Sequence, residues 1–139
     1  MISENLPQGS VWENFYHISA VPHVSGHEEQ LALRLVKWAE KNGFNARMDG
    51  AGNVIISRHP APGFENAPKV ILQGHLDMVP QSSDPDRDMT TTPVEILSDG
   101  KFLHTGGKTT LGADNAIGVA VAMTALSESP VKGELRAVF

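Results

Sequence analysis

Apolar positions along the chain follow a helical period in three stretches and alternate, or form short runs, in the others. From Ser10 to Ser19 the residues Val11, Trp12, Phe15, Tyr16 and Ile18 recur at helical spacing, which predicts a short amphipathic helix. Val21-Pro22-His23 breaks it. A second helix is predicted with Ser25 as its N-cap and Glu28 completing a capping box. Leu31, Leu35, Trp38 and Ala39 line one face of it, and Leu33 and Val36 widen the stripe. Lys41 lies in its last turn and Gly43 ends it. The third helical stretch runs from Asp114 to Leu126, rich in Ala, Val and Met, with the small residues Gly118, Ala120 and Ala122 suited to close packing.

The remaining pattern reads as strands and loops. Phe44 to Met48 alternates, Asp49-Gly50 and Gly52-Asn53 supply turn chemistry, and Val54-Ile55-Ile56 is β-branched, so this region reads as a hairpin. His59 to Pro68 is rich in proline and reads as a loop. Lys69 to Gly74 is a short apolar run of the kind expected for a strand buried on both faces. Pro80 to Pro93 is polar and reads as loop, its residues Asp84, Asp86 and Asp88 solvated rather than ligating. Val94 to Leu97 and Lys101 to Leu103 flank Ser98-Asp99-Gly100 as a second hairpin. Glu134 to Phe139 alternates like a strand. The order predicts an α/β fold, a mixed sheet flanked by helices, within one domain over residues 1–139.

Composition narrows the function classes. With 139 residues the chain can remove about 68–70% of its unfolded surface from water, enough for one core. A net charge of −5 argues against sequence-independent binding of nucleic acid, which needs a basic face. No apolar run approaches the roughly 20 residues that span a bilayer, and the first ten residues lack the basic and apolar regions of a secretory leader. With no cysteine, disulfides and thiolate zinc sites are excluded, so any zinc site must use His, Asp and Glu. A cytoplasmic location is compatible with this.

Three residues stand out chemically. His75-Leu76-Asp77 follows the apolar run Lys69 to Gly74 directly, so both polar side chains emerge at a strand's carboxyl end, where ligands bind in open α/β sheets. An imidazole ligand needs its ring held, and a nearby carboxylate can do that. Asp114 lies in Gly112-Ala113-Asp114-Asn115 at the mouth of the third helix. It reads either as an N-cap or as a carboxylate able to bridge two cations about 3.5–4 Å apart. The other histidines, His17, His23, His27, His59 and His104, read as surface or packing residues, and Trp12 and Trp38 as core. Gly106-Gly107-Lys108-Thr109 tempts a phosphate-loop reading, but Phe102 stands where that loop needs its first glycine.

Gln73 to Pro80 and Thr109 to Gly118 resemble the two N-terminal signatures of the dinuclear zinc peptidases that include carboxypeptidase G, peptidase T and carnosinase-type dipeptidases. The likeness is greatest to the aminoacyl-histidine (Xaa-His, cytosolic non-specific) dipeptidases, whose pattern Pro22 to Gln30 also fits, and it spans essentially the whole chain. The resemblance implies a zinc-peptidase-like catalytic domain with two Zn2+ per complete site, Co2+ or Mn2+ being possible substitutes. It implies that His75 ligates one zinc, that Asp114 bridges both, and that Asp77 is a catalytic carboxylate supporting His75. The family's general base and a further ligand form a Glu-Glu pair on the next strand, and another acidic ligand and a histidine follow much later.

None of those later motifs occurs here. The chain is therefore expected to be the N-terminal part of the catalytic domain, with no general base of its own and without the family's lid or dimerisation domain. Glu128 and Glu134 read as solvated residues rather than as that base. The implied activity of the full-length protein is hydrolysis of Xaa-His dipeptides by a metal-activated water, in a cytoplasmic homodimer with no nucleic-acid or membrane partner. Two other readings stay open: a non-catalytic fragment or binding module that keeps the fold, and an N-acyl amino-acid amidohydrolase of the same superfamily. A last strand cut short is expected to lack partners, giving low stability or self-association.

Overall fold

The computed structural model describes residues 6–139; residues 1–5, half of the stretch read above for a leader, lie outside the described part. Among the described residues three helices and six strands follow one another as α1 (Ser10–Ser19), α2 (Glu29–Lys41), β1 (Asn45–Met48), β2 (Val54–Arg58), β3 (Val70–Gln73), β4 (Leu97–Ser98), β5 (Leu103–His104), α3 (Ala113–Glu128) and β6 (Leu135–Val138). The main sheet has the order β1-β2-β6-β3. β1 and β2 pair antiparallel, as do β2 and β6, whereas β3 runs parallel to β6. The expected α/β class and mixed sheet are both present. β4 and β5 form a separate hairpin.

Period-two alternation decides which face of the sheet is covered. The row Ala46, Ile56, Ala137 and Leu72 shares one face by register, and these residues join the core with Val54 and Leu135. Against that face α2 packs on β1 and β2, α3 packs on β6 and β3, and α1 packs along α3. Phe15 and Ile18 of α1, Leu31 and Leu35 of α2, and Val119, Met123 and Leu126 of α3 are almost fully buried there. The opposite face carries two rows, Arg47 and Ile55 with Val138, and Ser57 and Arg136 with Ile71, the last of them 62% exposed.

Several sequence expectations change. β3 is not buried on both faces: it is an outer strand of the sheet, and Val70 and Ile71 are exposed. Its apolar run serves one core contact, Leu72, rather than two. The terminal strand is the better-satisfied one, lying between β2 and β3. Phe139 exchanges two backbone hydrogen bonds with Val54, and the Gly74 amide donates to Val138. α2 starts at Glu29, with no side-chain capping bond, so Ser25 is not its cap; Glu28 Oε1 instead accepts from the Gly26 amide. Leu33 faces solvent. Trp12 and Trp38 sit half-buried at the core's rim. Glu134 is not simply solvated, since it pairs with Lys69 and Arg136 at 2.9 and 2.6 Å.

Arg58 ties the sheet to the far end of α3. Its guanidinium donates to the carbonyls of Leu126 at 3.1 Å and Ser129 at 3.0 Å, and also to that of Val131. These carbonyls lie at a helix end with no intrahelical donors left for them. Replacing Arg58 with Met keeps the aliphatic stem but removes charge-assisted bonds worth about 1.5–3 kcal/mol each in favourable cases. With the group part-exposed, a total loss of roughly 1–3 kcal/mol in urea-unfolding free energy is expected. An unchanged midpoint would show that water replaces the guanidinium at no cost.

Candidate metal centre

The centre is assembled from three segments that meet at the carboxyl end of β3. The Val24↔Met78 bridge runs residues 23–25 alongside residues 77–79. In it the Met78 amide donates to His23 O at 3.0 Å and the Ser25 amide to Met78 O at 3.1 Å. A second bridge, Ser82↔Thr109, is reinforced by the Thr110 amide donating to Gln81 O at 2.9 Å. It carries the segment leading to Asp114 across to the segment that follows Asp77. Val24, Met78 and Met89 form a small buried cluster beneath. The polar loop from Pro80 to Pro93 is thus held by that second bridge and by the apolar side chain of Met89, while Asp84 and Asp88 accept local turn bonds at its surface.

Within this frame His75, Asp77 and Asp114 come together. His75 Nδ1 lies 2.9 Å from Asp77 Oδ1, and His75 Nε2 lies 3.0 Å from Asp114 Oδ1. Asp77 is held in turn by Ser25, whose hydroxyl donates to Asp77 Oδ2 at 2.6 Å. Asp114 projects freely, its side chain 92% exposed. It is no helix cap: the residue before the helix is Gly112 in the left-handed region at φ 76, no side chain makes a capping bond, and Asp114 and Asn115 have non-helical backbone angles. The Asp114–Asn115 peptide bond is cis. A hollow of ≈ 450 Å³ beside His75 and Asp77 is lined also by Gly74, Glu28, Glu29 and Phe139 among others.

Two close approaches shape the loop that presents Asp114. A Cβ on Gly112 would lie 2.9 Å from Met78 Sδ, and the positive φ disfavours any other residue. A Cβ on Gly118 would lie 2.0 Å from Asn115 Oδ1, so the Asn115 side chain occupies the space that glycine leaves on α3. Its other side abuts buried Gly74, where a Cβ would come within 3.0 Å of the same oxygen. Asn115 therefore wedges the end of β3 against α3.

The charges act on one another. Burial pulls the His75 pKa down, but hydrogen bonds to Asp114 and Asp77 outweigh it and hold the ring above its ordinary 6.5. The Ser25 hydroxyl, and less strongly His75, hold Asp77 below 3.8. Burial pushes His23 down, against the Val21 carbonyl that accepts from its Nδ1 at 2.6 Å. His23 is the one histidine packed inside; its Nε2 is buried without a partner. Of the other histidines, His59 meets Asn45 and the His104 Nδ1 accepts from the Gly106 amide, as surface residues do.

The donor set fits part of a metal site. Two donors about 2.0–2.1 Å from one zinc at a tetrahedral angle lie roughly 3.3 Å apart, close to the His75–Asp114 separation. With Nδ1 engaged by Asp77, Nε2 is the nitrogen turned toward Asp114, the second candidate ligand. Among the described residues no group of three or more His, Cys, Asp or Glu side chains gathers as a metal would require. Sequence reasoning found all three members of the cluster but missed Ser25 and Asn115. The signal for Ser25 was masked by its plausible capping position, and that for Asn115 lay in the glycine three residues on.

No family model matches the chain. It is 44% identical over 131 residues to the cytosol non-specific dipeptidase of Escherichia coli, covering 94% of this chain and 27% of that protein. It superposes on the crystal structure of aminoacylhistidine dipeptidase from Vibrio alginolyticus with a TM-score of 0.85 and 42% identity, covering 96% of this chain and 28% of the other. A dinuclear metal-binding peptidase of the M20 family from Bacillus subtilis shares the fold at a TM-score of 0.56 and 16% identity, over 93% of this chain and 34% of that one. The chain thus spans a little over a quarter of the length of the two similar dipeptidases. The resemblance read from the motifs is borne out along nearly all of it.

Gly118→Ala is expected to displace Asn115 and cost about 1–3 kcal/mol of stability as an overpacking change, measured by thermal or chemical unfolding. For pH the sign follows from the two shifts. The raised His75 contributes stability that is complete below 6.5 and lost as pH rises through its folded value. The lowered Asp77 contributes stability that is present above 3.8 and lost as pH falls through its folded value. An NMR titration of the metal-free protein should place the His75 midpoint above 6.5, and Asp114→Asn should lower it. A His75 midpoint at or below 6.5 would contradict the geometry.

Proposed function

We propose that this chain, kin to the dipeptidases it matches, forms the part of a zinc-dependent dipeptidase that carries one ligating imidazole and the bridging carboxylate. The observation that carries the reading is the continuous contact Asp77–His75–Asp114, with Nδ1 engaged at 2.9 Å and Nε2 turned to a freely exposed carboxylate at 3.0 Å. In this reading His75, through Nε2, and Asp114, as the carboxylate shared between the two ions, would hold the cations, and Asp77 would fix the ring. When bound, such a pair of divalent cations acidifies water and polarises the peptide carbonyl. The chain's own residues orient the ligands and leave open space beside His75 for substrate. Zn2+ is the cation assigned, with Co2+ or Mn2+ as substitutes. The dinuclear metal binding of the Bacillus subtilis neighbour supports a metal cofactor.

The whole protein is read as hydrolysing dipeptides of the Xaa-His type. The names of the two most similar proteins described above support the peptidase class. The proton-accepting carboxylate and the other ligands are assigned to the portion of such a protein outside the matched span. A cytoplasmic homodimer completes the reading. The cytosol dipeptidase supports the location, and no helix among the described residues is long and apolar enough to cross a membrane.

Calorimetric titration of Zn2+ into the chain tests the ligands. His75→Ala and Asp114→Ala should each weaken binding by more than the about 10–100-fold that loss of an outer-sphere partner costs. Zinc binding unaffected by either variant sinks the assignment. In a protein that joins residues 1–139 to the remaining length of its relatives, chelation and Asp114→Ala should both abolish hydrolysis of Xaa-His dipeptides. Turnover of N-acyl amino acids in preference to dipeptides would move the protein to the amidohydrolases.

A further inference from the structure

Ser25 occupies a capping position in sequence, yet its hydroxyl caps nothing, because α2 begins at Glu29 without a side-chain capping bond. The hydroxyl lies 2.6 Å from Asp77 Oδ2 and 3.4 Å from Met78 O. It has one proton to give, and the short, charge-assisted contact to the carboxylate takes it. Asp77 is then held at both oxygens: Oδ1 by His75 at 2.9 Å and Oδ2 by Ser25. A carboxylate bound at one oxygen alone can swing about its Cβ–Cγ bond; bound at two, its plane is set.

The Ser25 end of this arrangement is rigid. Its amide donates to Met78 O, and the Met78 amide donates to His23 O, so residues 23–25 are strapped to the very segment that carries Asp77. Val24 and Met78 are buried between the two, and buried His23 anchors the strap from behind by donating to Val21 O. Asp77 itself is partly exposed, so without that strap its carboxylate has no other side-chain partner besides His75.

We infer that Ser25 is a positioning residue of the metal centre: by fixing the plane of Asp77 it holds His75 in the Nδ1–H tautomer and leaves Nε2 as the ligating nitrogen. Which ring nitrogen carries the proton is set by the hydrogen bond the other partner supplies, and neutral imidazole left to itself favours the opposite tautomer. The inference rests on the proposed metal site for its purpose; in the metal-free chain Nδ1 faces two acceptors, Asp77 Oδ1 at 2.9 Å and Asp77 O at 3.1 Å, against the single, freely exposed Asp114 Oδ1 at 3.0 Å from Nε2.

The test uses the 139-residue chain with Ser25→Ala and Ser25→Thr variants. Long-range 15N–1H correlation spectra, recorded where the ring is neutral, report the His75 tautomer directly, and amide signals of Val54 and Ile56 report an intact core. The wild type should be mainly Nδ1–H, Ser25→Ala should shift towards Nε2–H, and Ser25→Thr, which keeps the hydroxyl, should restore the wild-type ratio. Titration with Zn2+ alone should show roughly 10-fold weaker binding for Ser25→Ala and recovery in Ser25→Thr. An unchanged tautomer in Ser25→Ala, or a wild type already in the Nε2–H form, overturns the inference. Zinc bound through His75 with no response to Ser25→Ala overturns it while the proposed metal site stands. A tautomer that responds in a chain that binds no zinc leaves Ser25 positioning His75 and overturns the metal reading instead.

Discussion

Everything at the candidate centre depends on three loop segments being held edge to edge where β3 ends. The strands supply only the direction: β3 delivers His75 and Asp77, and α3, which packs against the end of β3, carries Asp114 in its first turn. Two isolated bridges, Val24↔Met78 and Ser82↔Thr109, close the gap with a handful of backbone hydrogen bonds. Buried backbone groups must find partners, and here the segments satisfy one another rather than a regular sheet. The arrangement puts the chemistry on loops while Val24, Met78 and Met89 give those loops a small core of their own.

The same economy governs the contact between β3 and α3. Asn115 lies between Gly74 and Gly118, and neither glycine leaves room for a methyl group. Close approach of helix to strand end brings Asp114 within hydrogen-bonding distance of His75, so the glycines matter for what they omit. The pattern of small residues in α3 reads in sequence as close packing, and that is its role. What the pattern does not disclose is the identity of the neighbour, because the wedge is a polar side chain from the helix's own first turn.

Local patterning was informative wherever one residue type has one dominant use. The hairpin Asn45–Met48 to Val54–Arg58, the helical faces of α1 and α2 and the triplet His75, Asp77 and Asp114 were all legible on those grounds. Legibility failed where two uses compete. Ser25 satisfies a capping pattern and a carboxylate equally well by composition, and tertiary pairing with Met78 decided for the carboxylate. β3 looked buried because Val70, Ile71 and Leu72 are all apolar, but strand order is a long-range property that an apolar run does not encode. Glu134, read as solvated, is instead clasped by Arg136, two residues along its own strand, and by Lys69, which the β3–β6 register brings alongside.

The placement of β6 between β2 and β3 carries a consequence for how the molecule comes into being. β2 and β3 are close in sequence yet never pair; the strand that joins them is the last of the six to be made. Loop-closure entropy must be met before such distant pairings yield anything in return. On a ribosome, which releases the chain from its N-terminal end, the helix–hairpin portion can take shape early. β3, and with it the ring of His75, has no lateral neighbour until residues 135–138 emerge. Assembly of the centre thus waits on one four-residue strand that follows β3 across the whole of α3.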